Sequence, residues 1–234
     1  MTMKQGTCRP DLEQLYLELA GEYDLSETPC MIGGRSFSFL SVLDSYALLD
    51  RISPEEFVKD EQMPYWAEIW PSAIILSSFI AGELPVDGKR VVEIGAGVGV
   101  VSVTAAAHGA AVLATDYSPE ALRFIRYNAR RNGVPLETAR LDWRDVQCTE
   151  RFDMLFAADV LYERVNLLPI VMAIDKLLKP GGSAFIADPR RRLAGQFLEL
   201  AGENGYSITA HTSDYGGGKQ PVTVNIYRLK RGEA

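Results

Sequence analysis

The run VVEIGAGVGVVS at residues 91–102 constrains what this chain can fold into more than any other segment. A short apolar segment leads the backbone into Gly95, Gly97 and Gly99, and an apolar helical stretch follows. Glycines so spaced allow a sharp turn and let a ligand approach the main chain, with the amides of the next helix facing it. The segment therefore reads as strand, turn and helix of an α/β fold, with the turn as a nucleotide cradle. A dinucleotide fingerprint would place its third glycine at position 100, where this chain has Val100, so the spacing is GxGxG and not GxGxxG. Taken alone, the glycines also fit a purely structural βα turn.

The same rhythm continues along the chain. Apolar runs at 91–94, 111–115, 153–158 and 183–187, with a weaker one at 138–142, alternate with helical stretches, which predicts βα units and a parallel sheet. Ser118 and Pro119 open one helix that should stop at Gly133, Pro180 and Gly181 close another after Leu178, and Gly205 ends a third. The last runs, 206–211 and 222–229, are joined by a loop holding Gly216, Gly217 and Gly218, too short for a crossover helix, so they should pair antiparallel. Seven strands result, with helices on both faces. Ahead of them, Leu12, Leu15, Tyr16 and Leu19 predict a first helix, Phe37 and Phe39 a strand, and Ser53, Pro54 and Glu56 a capping-box helix start. Residues 1–62 thus read as an N-terminal helix-and-strand appendage to a domain at 63–234.

Composition narrows the function. With 24 Lys and Arg against 31 Asp and Glu, the 234-residue chain carries a net charge of −7 and lacks the basic footprint of a nucleic-acid binder; basic partners fit better. No apolar run is long enough to span a bilayer, and MTMKQGTCRPDLEQ lacks a signal peptide's hydrophobic stretch, so a cytoplasmic protein with no membrane partner is expected. Cys8, Cys30 and Cys148 form no CxxC pair and His108 and His211 lie far apart, so neither a disulfide framework nor a metal site is expected. The sequence leaves the oligomeric state open.

Several polar and aromatic residues fall at strand ends. Asp116 closes the strand after the glycines, about twenty residues on, where a carboxylate accepts both hydroxyls of a ribose; the competing reading is a helix cap, for which Ser118 is better suited. Asp142 and Trp143 end the third strand, placed to read an adenine edge and cover its face. Glu93 serves either a ligand's polar end or the bracing of the glycine turn. Pro71 should keep residues 64–70 extended and start a helix, so Trp66, Glu68 and Trp70 would share a face suited to a cationic sulfonium or its adenosine; core packing of the tryptophans is the alternative.

Together these residues resemble the class I, seven-strand S-adenosylmethionine-dependent methyltransferases over about residues 64–229. More narrowly, the chain resembles the lysine protein N-methyltransferases and their bacterial nicotinamide-methyltransferase-like relatives. That match is carried by MPYWAEIWPSA (63–73), by LDW (141–143) as a Leu-x-Trp motif, and by AADVLY (157–162) with Asp159 and Tyr162 as an Asp-x-x-Tyr motif. IADPRRR is similar to the family's Asp-Pro step, but Arg190 and Arg191 stand where some members have Gly-Arg.

The resemblance implies a Rossmann-like fold with S-adenosyl-L-methionine as cofactor. It would be held by Trp66, Trp70, Glu93, Gly95, Gly97, Gly99, Asp116, Tyr117, Asp142, Trp143 and Ala158. Asp159 and Tyr162 are implied as catalytic, orienting an acceptor amine. The acceptor implied is a lysine of a protein substrate, with a small amine or pyridine as the alternative. Nucleobase amine methylation is disfavoured, because Asp159, Val160, Leu161 and Tyr162 replace the Asn/Asp-Pro-Pro-aromatic run frequent in those enzymes. A cofactor-binding module with little catalysis is the rival from another class. A nicotinamide-dependent oxidoreductase is opposed by Val100 and by the lack of a catalytic His or Tyr-x-x-x-Lys set.

Overall fold

The computed structural model describes residues 10–51, 64–218 and 220–231. Within these lie six α-helices: α1 (Pro10–Ala20), α2 (Pro71–Glu83), α3 (Val100–Ala107), α4 (Pro119–Arg131), α5 (Leu167–Leu177) and α6 (Ala194–Glu203). The strands are β1 (Leu25–Ile32), β2 (Arg35–Val42), β3 (Arg90–Ile94), β4 (Ala111–Asp116), β5 (Glu137–Arg140), β6 (Phe152–Ala158), β7 (Leu178–Asp188), β8 (Tyr206–Tyr215) and β9 (Val222–Arg231). The capping-box helix start at Ser53 lies outside the described residues.

Seven strands form one sheet in the order β5-β4-β3-β6-β7-β9-β8. The first five run parallel, while β9 pairs antiparallel with both β7 and β8. Alternation along the central strands sorts side chains to two sides. Val91, Phe156, Phe185 and Ala187 pack with Leu76 of α2, Val101 of α3 and Phe124 of α4. Val92, Leu155, Ala184 and Ile186 pack with Ile170 and Ile174 of α5 and Phe197 of α6. The sheet is therefore covered on both faces, and its order reverses between β3 and β6, which opens a crevice beyond the strands' carboxyl ends.

Local chemistry sets most boundaries. Trp70 is extended at φ −86, ψ 143, and Pro71 supplies the first turn of α2. The Ser118 side chain accepts from the Ala121 amide at 3.3 Å, making Ser118 the cap of α4. One expected boundary differs. Helix α5 stops at Leu177 and β7 begins at once, with Pro180 and Gly181 inside the strand; the register jumps from Phe152↔Leu178 to Met154↔Ser183 to absorb them.

The hairpin β1-β2 docks on α4 through two asparagines. Asn128 Oδ1 accepts from the Leu40 amide at 2.7 Å while its Nδ2 donates to Leu40 O at 2.9 Å. Asn132 repeats this on Ser38, accepting at 3.0 Å and donating at 2.8 Å. Four helical residues rise about 6 Å and two strand residues about 6.7 Å, so i, i+4 amides meet every second strand residue. Phe37, Phe39 and Leu40 share one apolar cluster with Leu76, Val101 and Phe124.

Candidate active site

One cleft at the carboxyl end of the sheet gathers most of the sequence candidates. Its walls include Trp66, Glu68, Trp70, Glu93, Gly95, Gly97, Asp116, Tyr117, Asp142, Trp143, Ala158, Asp159 and Tyr162. The cleft is open to solvent at its mouth and lined by both polar and aromatic groups. Of the cofactor candidates only Gly99 lies off these walls: at φ 89 it is the left-handed residue that starts α3, and a Cβ there would stand 3.1 Å from Ile125.

The glycine turn is built for close approach. Gly95 and Gly97 adopt φ 64 and 55, which side-chain-bearing residues seldom do. A Cβ on Gly95 would sit 3.1 Å from the Trp143 ring, and one on Gly97 3.2 Å from Trp66 O, so the turn lies directly between two indole-bearing segments.

Asp116 is buried, and its carboxylate accepts from the Gly97 amide at 2.8 Å and the Ser118 amide at 2.9 Å. Burial pushes it up to about 6 despite those amides. Each oxygen keeps acceptor capacity for a hydroxyl. Glu93 is buried and accepts from the Ser102 hydroxyl; burial raises it to about 8, the Ser102 contacts only partly opposing, so near neutrality it is mostly a neutral acid. Its tie to α3 fits the bracing reading, and its place on the cleft wall keeps it within a ligand's reach. The Asp142 carboxylate is held by Arg144, with 2.9 Å contacts from Nε, Nη2 and the backbone amide. Burial opposes ionisation of Asp142, but these bonds outweigh it and hold the carboxyl below its ordinary range. Tyr117 lies under the guanidinium groups of Arg140 and Arg144, at 4.7 and 5.3 Å from its ring centre.

The aromatic segment departs from the extended course expected for it. Pro64, at φ −75 and ψ 48, starts a 3-10 turn over Tyr65–Ala67, closed by the Ala67 amide on Pro64 O at 3.1 Å. The two indoles consequently diverge. Trp66 packs against Tyr23 and Phe124, ring centres 6.0 and 5.4 Å away, while Trp70 donates from Nε1 to Tyr65 O at 2.8 Å. Glu68 accepts from the Ser45 hydroxyl of the N-terminal region.

Asp159 and Tyr162 follow β6 across a turn. No helix begins at Asp159: it takes φ 62, its amide donates to Ala187 O at 2.8 Å, and α5 begins only at Leu167. The turn still leaves both residues on the cleft wall, Tyr162 resting on Tyr65 with ring centres 4.8 Å apart. Burial raises Tyr162 well above the ordinary phenol range, with Glu163, Asp116 and Tyr65 adding to it. Burial also raises Asp159, and Arg191, whose Nε–H donates to Asp159 Oδ1, pulls it back in part. That arginine is the residue sequence reasoning left without a role; the run IADPRRR was its only signal, because its partner stands 32 positions away.

The sequence profile of the family described as lysine methyltransferase matches residues 57–203. The chain is 37% identical over 130 residues to the protein-lysine methyltransferase METTL21E of Mus musculus, covering 49% of this chain and 52% of that one. It is 29% identical over 176 residues to EEF1A lysine methyltransferase 3 of Mus musculus, covering 71% and 73%. The chain spans about half the length of the METTL21-type relatives it matches. Among solved structures, the 16S rRNA N2 G1207 methyltransferase RsmC of T. thermophilus, in complex with AdoMet and guanosine, superposes with a TM-score of 0.62 at 14% identity, covering 89% of this chain and 51% of that one. That likeness is one of fold.

Proposed function

The chain belongs to the lysine methyltransferase family, and on that premise we propose that it transfers a methyl group from S-adenosylmethionine to the side-chain amine of a lysine in a protein substrate. The observation that carries the proposal is the single cleft, where the glycine turn and Asp116 share walls with Asp159 and Tyr162. The residues present suit the cofactor: a backbone free of Cβ atoms, a carboxylate acceptor for ribose at Asp116, and indole faces at Trp70 and Trp143 for adenine and a sulfonium, with Trp66 lining the same cleft from its packed position. Glu93, Tyr117, Asp142 and Ala158 complete that proposed binding set, with Asp142 acting in company with Arg144. When bound, the cofactor would supply an electrophilic methyl on a cationic sulfur.

The remaining work falls to the chain. A lysine amine has a pKa near 10.4, so holding it neutral at pH 7 costs about 4 to 5 kcal/mol. Asp159 Oδ and the Tyr162 hydroxyl would align the amine, and the buried surroundings that raise both groups would also disfavour the ammonium. Alignment of the two reactants supplies much of the rate. The acidic chain fits a basic protein partner and argues against nucleic acid. We also propose a cytoplasmic enzyme in which residues 63–234 form the methyltransferase domain and residues 1–62 an appendage. Among the described residues no helix is long and apolar enough to cross a membrane.

The test is incubation with radiolabelled S-adenosylmethionine and a lysate of the host. Label in protein, on lysine after hydrolysis, is the expected result. Label confined to the small-molecule fraction would transfer the assignment to a metabolite amine.

A further inference from the structure

Arg191 is built into the acceptor end of the cleft without standing in it. Its Nε–H donates to Asp159 Oδ1, and that carboxylate side chain is 4% exposed. Its guanidinium carbon lies 5.9 Å from the Trp70 ring centre and 6.0 Å from that of Tyr162. The main chain fixes this position: the Arg191 amide donates to Asp188 Oδ1 at 2.8 Å, Asp188 is fully buried, and Arg190 takes the left-handed φ of 62. Asp159 and Tyr162 are among the cleft walls and Arg191 is not. The guanidinium therefore reaches the carboxylate and leaves the cleft open to an acceptor.

We propose that Arg191 is a positioning residue that aims Asp159 at the acceptor and offsets its charge, so that an incoming alkylammonium gives up its proton in the cleft instead of being held there as a cation. The inference rests on the amine-methylation reading above and concerns how that same site handles its substrate. An unpaired carboxylate beside an amine favours the ammonium. A guanidinium fixed on one carboxylate oxygen weakens that field and leaves the other oxygen to accept an N–H bond. The acceptor's proton passes to water; its lone pair then forms the N–C bond as the C–S bond breaks, and the sulfur keeps that electron pair.

Among the charged groups, Arg191 is the one that acts directly on Asp159, and other titratable groups surround the pair. Asp188 at the end of β7 touches the same residue; Glu163 and Tyr162 precede α5; Tyr65 and Glu68 come from the aromatic segment and Asp116 from β4. Arg190 stands on the same loop as Arg191, and α2 brings only the neutral Ser72 hydroxyl. Glu93 and Asp142 also line the cleft, the latter held by Arg144, and the guanidinium bonded to Asp159 is the balancing charge closest to it.

The experiment measures transfer of tritiated methyl into the protein fraction of host lysate, band by band, from pH 6 to 10. It compares the wild type with Arg191→Met, Arg191→Gln and Arg191→Lys, with S-adenosylhomocysteine affinity measured for each by calorimetry. Both neutral variants should keep that affinity. Their acid limb should move up by about one pH unit or more, the size of effect one nearby charge has, so activity falls about tenfold near pH 7 and recovers at high pH. Arg191→Lys should stay near the wild-type profile. Loss of rate by the same factor at every pH, an unshifted profile, or loss of cofactor affinity in both neutral variants would overturn the assignment of Arg191. Absence of protein label with the wild type would instead refute the lysine reading, and this inference with it.

Discussion

The Gly97 amide donates to Asp116 Oδ2 at 2.8 Å, so the glycine turn after β3 and the end of β4 are tied into one edge. Because the other oxygen takes the Ser118 amide, the carboxylate that would receive a ribose also holds the turn that would cradle the rest of the ligand. Asp116→Ala should weaken S-adenosylhomocysteine binding by about 1.5 to 3 kcal/mol and also lower the melting temperature, since two backbone amides lose their acceptor. Calorimetric titration and thermal unfolding read the two effects separately. Unchanged affinity with a lowered melting temperature would leave Asp116 only the bracing role.

Asp159→Asn and Tyr162→Phe should preserve cofactor affinity while cutting methyl transfer by about tenfold to a thousandfold, as expected of groups that orient the acceptor. Radiolabel transfer to protein measures the rate and calorimetry the affinity. Full activity in both variants would remove the Asp-x-x-Tyr pair from the chemistry.

The diverging indoles separate two kinds of tryptophan. Trp66→Ala should destabilise the fold by about 3 kcal/mol, the low end for a large aromatic removed from a packed site, because Tyr23 and Phe124 lose their partner. Trp70→Ala and Trp143→Ala should lower S-adenosylhomocysteine affinity more than they lower stability. Denaturant titration beside calorimetry distinguishes these outcomes; a Trp143→Ala variant that unfolds easily but binds normally would assign that indole to the core.

Glu93 should make stability fall as pH rises. The folded protein keeps this carboxyl protonated to about 8, against an ordinary value of 4.5, so between those values the folded state holds the extra proton. Raising the pH through that window therefore favours unfolding. Asp116 and Asp188, both raised to about 6, add to the fall at its acid end. Wild-type melting temperatures should decline from about pH 5 to pH 8, and Glu93→Gln should flatten most of the decline above about pH 6. Parallel curves for the two proteins would contradict this.

The sheet was legible because each βα unit writes its own local signature. Asp116, Asp142 and Asp159 could be placed at one edge simply by standing at strand ends, and the antiparallel pairing of β8 and β9 followed from the short glycine loop. What stayed hidden depends on contacts between distant segments. Nothing near Trp66 announces Tyr23 or Phe124, and Pro64 turned the chain where Pro71 alone suggested extension. Likewise, the left-handed turn at Asp159 is fixed by Ala187 O, and its charge partner comes from the loop after the neighbouring strand.

The two asparagines on α4 have a consequence for the protein's life in a crowded solution. A two-stranded hairpin offers a row of unpaired amides and carbonyls that another chain's strand could adopt as a template. Asn128 and Asn132 occupy the groups of Leu40 and Ser38 with side-chain amides that imitate a neighbouring strand yet cannot propagate one. Replacing both with leucine would strip these four backbone groups of their partners and present a sticky edge. The expected fate of such a variant is self-association, seen as concentration-dependent light scattering before any loss of the sheet that carries the site.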